Sequence, residues 1–468
     1  MKEIWLVLAD PFPTRVFFDC GIVDRLAERL PGRLRLVYVL GEEDEALWAE
    51  RAAGLPQTFA RALVPARVGP AGRALRRLDR TLDERIGFYP LALRLSLRHG
   101  FHRERMRPGH PNWFLDPTRA GRLPRRRWIE RGMYRWHFGG RRHVPRPLLA
   151  RMRADCDALV VTNLQTRAVV PFLTAARRLD VPVVGYISSW DHTVGKGAIT
   201  PHAAGYVVQN QVMEDDLVRY HGIPAERIAV TGWPQTDVFA RRRPREAYDA
   251  IIRAYGLDPA RPVVLVMGNT PTNAPYEQRF VDRLVGWWAE SGASARFSLL
   301  LRPHPRDRQW RERFGAAFDR EGAYVQEPSY TDMETLATLL QHGDCVVANA
   351  GTILLDSLVN GRPAVCVLYD EGAPPGESWA VLNTVGEHYK QLMESDAFYR
   401  AKRFEDVVAG IERALARPDE LAEERRRVAR DVVGEVDGRA SERVVEAILA
   451  TLAQQPDRSD QDEGGRDR

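Results

Sequence analysis

Short apolar runs alternate with helical patterns along most of this chain, and their order predicts two successive α/β series. In the first series, residues 4–9, 34–40, 158–162, 181–187, 206–209 and 228–231 read as strands. Helical patterns near 19–30, 166–179 and 212–221 fall between them. A second series starts afresh, with strands at 262–267, 298–301, 323–325, 345–348 and 364–368 and helices around 276–290, 307–319, 333–341 and 352–360. Helices near 404–416, 418–432 and 441–454 close it. Strands that alternate with helices form parallel sheets covered on both faces.

The two series divide at Thr231-Gly232-Trp233-Pro234, and the charged run Ala240-Arg241-Arg242-Arg243-Pro244 reads as a linker. At 468 residues the chain exceeds one comfortable core. The expectation is therefore an α/β protein of two Rossmann-like domains facing a cleft, one over 1–240 and one over 245–454. Ligands in such sheets sit beyond the carboxyl ends of the strands. Between the second and third strands, residues 55–150 carry Pro, Gly and Arg with weak periodicity, and are expected to be a helical and loop insertion. Residues 455–468 are polar and poor in apolar side chains, the composition of a disordered tail.

Composition adds a charge asymmetry. The net charge is only +5, yet residues 61–150 hold 22 Arg and no Lys against six acidic residues. Clusters such as Arg125-Arg126-Arg127-Trp128 and Arg135-Trp136-His137-Phe138 mix cations with aromatic rings. This stretch suits an anionic membrane surface, although the chain uses 64 Arg and 4 Lys throughout, which inflates any basic patch. Nucleic acid is the weakest of the anionic partners, because no nucleic-acid module motif is present. No apolar stretch approaches the roughly 20 residues that span a bilayer, and the N-terminus reads as a core strand. Four well-separated cysteines (Cys20, Cys156, Cys345, Cys366) in or beside apolar runs suggest buried, reduced thiols. A cytoplasmic protein, peripheral on the inner face of the plasma membrane, fits these features.

The candidate chemistry lies where strands of the second series end. Residues 344–363 read DCVVANAGTILLDSLVNGRP. An apolar strand breaks there into Asn349, Ala350 and Gly351, and Thr352 opens a helix. Free amides at such a turn, with the helix dipole behind them, favour a phosphate. The Thr352 hydroxyl adds a donor, and Asp356, one turn on, could reach ribose hydroxyls. Gly268, Asn269 and Thr270 follow the first strand of the same series. Arg302 and His304 follow the next, held by Pro303 and Pro305 and suited to pairing with phosphate. In the first series, Asp191 and His192 stand on a loop after an apolar run and are candidates for a general base, Asp191 preferred. Asp10, Thr14 and Arg15 beyond the first strand are candidates for acceptor contact.

Three segments then carry a likeness. Arg302-Pro303-His304-Pro305, DCVVANAGTILLD at 344–356 and GRPAVCV at 361–367 resemble the donor-binding half of GT-B transferases. The likeness is to bacterial CDP-glycerol glycerophosphotransferase-like and surface-polysaccharide glycosyltransferases. SSWDHTVGKG at 188–197 and the stretch 206–239, with HGIP and TGWPQTD, match a pattern common to those proteins. The resemblance covers about residues 155–390 and departs at 349–352, where the usual Ser-Ser turn is Asn-Ala-Gly-Thr. It implies a GT-B fold with Trp190 and Lys196 near the acceptor and Asp191 as base. The implied activity is metal-independent transfer of a sugar, or of glycerol phosphate, from a nucleotide-diphosphate donor to a cell-envelope glycan or lipid-linked acceptor. No metal or cofactor beyond that donor is expected, and no Asp-x-Asp motif is a candidate for holding one. Two other readings stay open: a UDP-N-acetylglucosamine 2-epimerase-like isomerase, and a non-catalytic anion- or nucleic-acid-binding protein on the same fold.

Overall fold

Six of the seven residues of Glu3–Ala9 are buried. A run with no polar alternate does not suit an open sheet face, and it forms β1, an inner strand of a sheet covered on both sides. The structure is a computed structural model describing residues 2–64, 138–139, 143–195, 199–329, 332–375, 377–384 and 386–455. The first sheet comprises β1, β2 (Leu34–Val39), β3 (Gln57–Phe59), β4 (Cys156–Val161), β5 (Val183–Tyr186), β6 (Gly205–Val208) and β7 (Ile228–Val230). All its pairings are parallel, in the order β3-β2-β1-β4-β5-β6-β7.

The second sheet repeats the scheme with β8 (Val263–Met267), β9 (Ser298–Arg302), β10 (Ala323–Val325), β11 (Cys345–Ala348), β12 (Ala364–Val367) and β13 (Tyr399–Ala401). Its order is β10-β9-β8-β11-β12-β13, again parallel. In both sheets the order turns back beside the first strand, between β1 and β4 and between β8 and β11. Such a turning point leaves room for a ligand beyond the strand ends.

The chain divides into two compact units: Met1–Pro234 with Arg439 onward, and Gln235–Gly438. The helix Ala440–Ala453, expected in the second domain, therefore belongs to the first. Its Val444, Val445 and Ile448 are buried in one core with Leu26, Val184 and Val207. A Cβ on Gly205 would sit 2.7 Å from the Thr451 side chain, so glycine lets β6 approach this helix closely. In the second unit, Val264, Val266, Leu299, Leu301, Val347 and Val365 pack with the helices Glu277–Glu290 and Phe404–Ala416. Each such aliphatic side chain contributes roughly 1.5–3 kcal/mol on full burial.

Several expectations are corrected. The run 240–244 is not a free linker. Arg243 N–H donates to Gln341 Oε1 at 2.9 Å, and Gln341 Nε2 donates to the Phe239 and Arg241 carbonyls at 3.0 Å each. Pro11 and Pro13, directly after β1, lie in the first turn of the helix Pro11–Asp19, for which no helical pattern was read. Asp10 Oδ1 accepts from Phe12 N–H at 3.0 Å, and proline at the first helical position forfeits no bond. The expected helix 307–319 shrinks to Trp310–Arg313 and a following 3₁₀ turn. Residues 57–59, assigned to the insertion, are strand β3. Most of the remainder of that insertion, residues 65–137 and 140–142, lies outside the described residues, as does the tail from 456. Among the described residues no helix is long and apolar enough to cross a membrane. All four cysteines are free, three of them buried and Cys20 half-buried.

Candidate functional site

Strand register brings the three candidate loops of the second unit side by side. Met267 pairs with Arg302 on one side and with Ala348 on the other. Gly268, Pro303 and Asn349 therefore leave neighbouring strands at one level, at the turning point of the sheet.

The helix Thr352–Val359 begins at this rim, with Gly351 in extended geometry as its N-cap and no side-chain cap. Within the helix turn, Leu354 N–H reaches the Gly351 carbonyl at 3.2 Å. The amides of Gly351, Thr352 and Ile353 and the Thr352 hydroxyl have no hydrogen-bond partner among the described residues. Three successive unpaired N–H groups at the positive end of a helix form a seat for an anionic oxygen. Asp356 follows one turn later and is half-buried.

Other side chains of the expected donor set hold the loops instead. Asn349 Nδ2 donates to the Val367 carbonyl at 2.7 Å and the Ala380 carbonyl at 3.2 Å, and its Oδ1 accepts from Asn383. Arg302, expected to pair with phosphate, forms an ion pair with Asp332 at 2.6 Å and donates to Gln326 Oε1 at 2.5 Å. Gln326 in turn donates to the same Asp332 carboxylate at 3.0 Å. Gly268 stands directly after β8. A Cβ there would meet the Phe314 ring at 2.7 Å and the Pro303 backbone at 3.2 Å, so protein packing demands the glycine. Asn269 reaches the Ala350 carbonyl at 3.4 Å, and its Oδ1 accepts from Thr270 N–H at 2.8 Å. The Thr270 hydroxyl pairs with Thr272 at 3.0 Å. His304 Nδ1 accepts from Arg306 N–H at 3.0 Å. In the neutral ring this leaves the proton on Nε2, a donor suited to an anion.

Beneath the rim lies a buried charge cluster that the sequence did not disclose. Arg313 donates to Glu277 at 2.7 Å, to Asp307, and to the carbonyls of Asn269 at 3.0 Å and Ala274 at 2.9 Å. Glu277 accepts the Asn269 N–H at 2.9 Å. Burial pushes the Glu277 carboxyl up to about 8, while Arg313 and the Asn269 amide pull it the other way. The cluster fixes the loop after β8 from below.

In the first unit, Asp191 and His192 follow β5, with His192 Nε2 3.9 Å from Asp191 Oδ1. Hydrogen bonds from several directions hold their loop. His192 N–H donates to the Ser189 carbonyl at 3.0 Å, and Gln165 donates to the His192 carbonyl at 2.9 Å. The Thr193 hydroxyl donates to Asp216 at 2.6 Å, and His221 Nε2 lies 2.7 Å from the Thr193 carbonyl. Because His221 Nδ1 accepts from Ile199 N–H at 3.1 Å, its Nε2 carries the proton. His221 ends a π-helical stretch, Leu217–His221, and stands in the HGIP segment that carried part of the likeness. Its part in holding this loop was not read from the sequence.

Two expected acceptor residues are structural. Thr14 is fully buried with its hydroxyl on the Asp10 carbonyl at 2.9 Å. Trp190 is buried edge-on to Trp233, with ring centroids 6.1 Å apart. Arg15 lies over the Phe12 ring at 5.5 Å. Asp10 has φ 73° and ψ 132°, a backbone geometry rare outside glycine, immediately beyond β1. Lys196 lies outside the described residues. Among the described residues no group of three His, Cys, Asp or Glu side chains could hold a metal ion.

Solved structures with this fold include the UDP-GlcNAc 2-epimerase of Neisseria meningitidis bound to UDP-GlcNAc. That enzyme shows 11% identity, TM-score 0.53, and coverage of 96% of this chain and 100% of that one. S. aureus MnaA with UDP aligns at 13% identity and TM-score 0.53, over 97% and 99% of the two chains. The Methanocaldococcus jannaschii UDP-GlcNAc 2-epimerase aligns at 13% identity and TM-score 0.50, over 96% and 100%. At such identities the likeness establishes the fold, two Rossmann-like α/β units as in GT-B proteins. No curated protein matches the sequence. Residues 200–450, more than half the chain, match the CDP-glycerol:poly(glycerophosphate) glycerophosphotransferase family. The chain belongs to this family of nucleotide-donor transferases.

Proposed function

We propose that this protein transfers glycerol phosphate from a CDP-glycerol-type donor to a hydroxyl of a cell-envelope acceptor. The observation that carries the reading is the run of unpaired amides at Gly351, Thr352 and Ile353, with the Thr352 hydroxyl, at the turning point of the second sheet. Family membership supports the donor class.

In the proposed reaction the acceptor oxygen attacks the phosphorus that bears glycerol. A new P–O bond forms there, the bond to the bridging oxygen breaks, and CMP leaves with that oxygen. The amides and the Thr352 hydroxyl stabilise the leaving phosphate, where charge develops. The His304 imidazole, protonated at Nε2, is a second donor, and Asp356 accepts from the ribose hydroxyls. Arg302 serves by holding the loop after β9 rather than by touching phosphate. Asp191 takes the acceptor proton, with His192 the alternative base. Sugar transfer on the same seat would release a nucleoside diphosphate instead of CMP.

The test pairs donors with products. Incubation with CDP-glycerol and a glycerol-phosphate-primed acceptor should release CMP and lengthen the acceptor. Release of UDP or GDP from a nucleotide sugar, with CDP-glycerol inert, would replace glycerol phosphate by a sugar. Conversion of UDP-GlcNAc with no acceptor would move the reading to an epimerase. Asp191→Asn should leave donor affinity unchanged and slow turnover by about 10²–10⁴-fold.

A further inference from the structure

A cavity of ≈ 470 Å³ opens in the first unit, lined by Asp180, Pro182 and Val183 before and within β5, by His202 and Ala203 before β6, and by Arg227 before β7. These positions stand at the amino ends of the strands, whereas Asp10 and Asp191 follow carboxyl ends. The cavity is therefore separate from the strand ends that carry the proposed transfer chemistry.

Its wall is divided. Val170, Leu173, Val181 and Val183 form an apolar floor, and Arg177, Asp180, His202, Glu226 and Arg227 form a charged rim. Arg177, His202, Glu226 and Arg227 are exposed to solvent. None of these five side chains forms a hydrogen bond or ion pair among the described residues, so two guanidinium groups and two carboxylates share one cavity without pairing. Partial burial of the His202 ring, and after it the charges of Arg177 and Arg227, hold its imidazole below its usual value. The two cations line the same cavity.

We propose that this cavity binds a phosphorylated polyol, away from the strand ends that carry the transfer chemistry. Arg177 and Arg227 would take the phosphate, as unpaired guanidinium groups do. Asp180 and Glu226 would accept from carbon-borne hydroxyls of the polyol, which inorganic phosphate lacks. The apolar floor suits the carbon skeleton. In an enzyme acting on a glycerol-phosphate chain, such a site holds a stretch of acceptor already made, which raises its effective concentration near the protein.

The test is a footprint on the full chain. Phenylglyoxal modifies accessible arginines, and peptide mass spectrometry reads Arg177 and Arg227 separately. Glycerol 3-phosphate should slow modification of both several-fold, and glycerol should not. The Thr352→Val, Asp356→Ala double variant, disabled in the proposed donor seat, should retain this protection, which separates the two proposals. By calorimetry, Arg177→Gln with Arg227→Gln should lower glycerol 3-phosphate affinity at least tenfold in the same background, and both residues are exposed enough to spare the fold. Unchanged modification rates would overturn the site. Equal protection by inorganic phosphate would overturn the polyol assignment, and protection by phosphatidylglycerol vesicles alone would make the face a membrane contact.

Discussion

Asn383 Nδ2 donates to Asn349 Oδ1 at 2.8 Å, tying the end of β11 to a segment 34 residues further along. The same amide also reaches the Asn273 carbonyl at 2.8 Å, so one side chain joins two of the loops at the rim. Asn349→Ala removes this link and the bonds to Val367 and Ala380. It should cost about 1–3 kcal/mol, because buried carbonyls lose their donors. Urea unfolding measures the loss, and an unchanged midpoint would mean that the rim is held otherwise.

The amide seat has its own signature. Thr352→Val keeps shape and helix but deletes the hydroxyl donor beside the three amides. Hydrogen bonds to charged groups are worth about 1.5–3 kcal/mol, so diphosphate affinity should fall by about tenfold or more while the melting temperature stays put. Adding Asp356→Ala should weaken nucleotides further and inorganic pyrophosphate no further. Calorimetry with CDP, UDP and pyrophosphate distinguishes these effects, and unchanged affinities would count against the seat.

Gly268→Ala separates packing from ligand approach. Its methyl group would stand 2.7 Å from the Phe314 ring. Overpacking of this kind costs about 1–3 kcal/mol. The pairing Gly268→Ala with Phe314→Leu should recover much of that loss. If the double variant is no more stable than Gly268→Ala alone, the ring is not the obstacle.

The His221 imidazole predicts an acid limit. Burial pushes it down to about 4, against about 6.5 in an unfolded chain. The neutral ring is thus favoured by folding. Its contribution is complete above about pH 6.5 and is lost as pH falls from there towards 4, in all about 3 kcal/mol. His221→Gln should flatten the stability profile over that window relative to the parent. Parallel profiles for the two proteins would show that His221 does not set it.

Among the described residues, eleven of the thirteen strands were legible because buried parallel strands are apolar runs bounded by turns. The two missed, Gln57–Phe59 and Tyr399–Ala401, are interrupted by Gln and Arg and so leave no apolar run to read. The rim itself was legible, since each candidate loop directly follows a strand. The duties of its side chains were not. Asp332, which occupies Arg302, is 30 positions away with no pattern joining them, and Asn383 stands in a segment without regular periodicity. Local spacing revealed the free amides at 351–353 because helix geometry alone creates them. Pairing between distant side chains depends on tertiary packing, which one sequence does not display. The Pro11–Asp19 helix was hidden by its prolines, which usually break a helix and here start one.

The polypeptide crosses from one unit to the other at Pro234–Gln235 and returns at Gly438–Arg439. Excising residues 1–234 would strand Val184 and Val207 without Val444, Val445 and Ile448 to cover them. During synthesis the first unit therefore stays incomplete until the second has been made. An expressed N-terminal half would need residues 439–455 supplied, fused or in trans, before it could be expected to remain in solution.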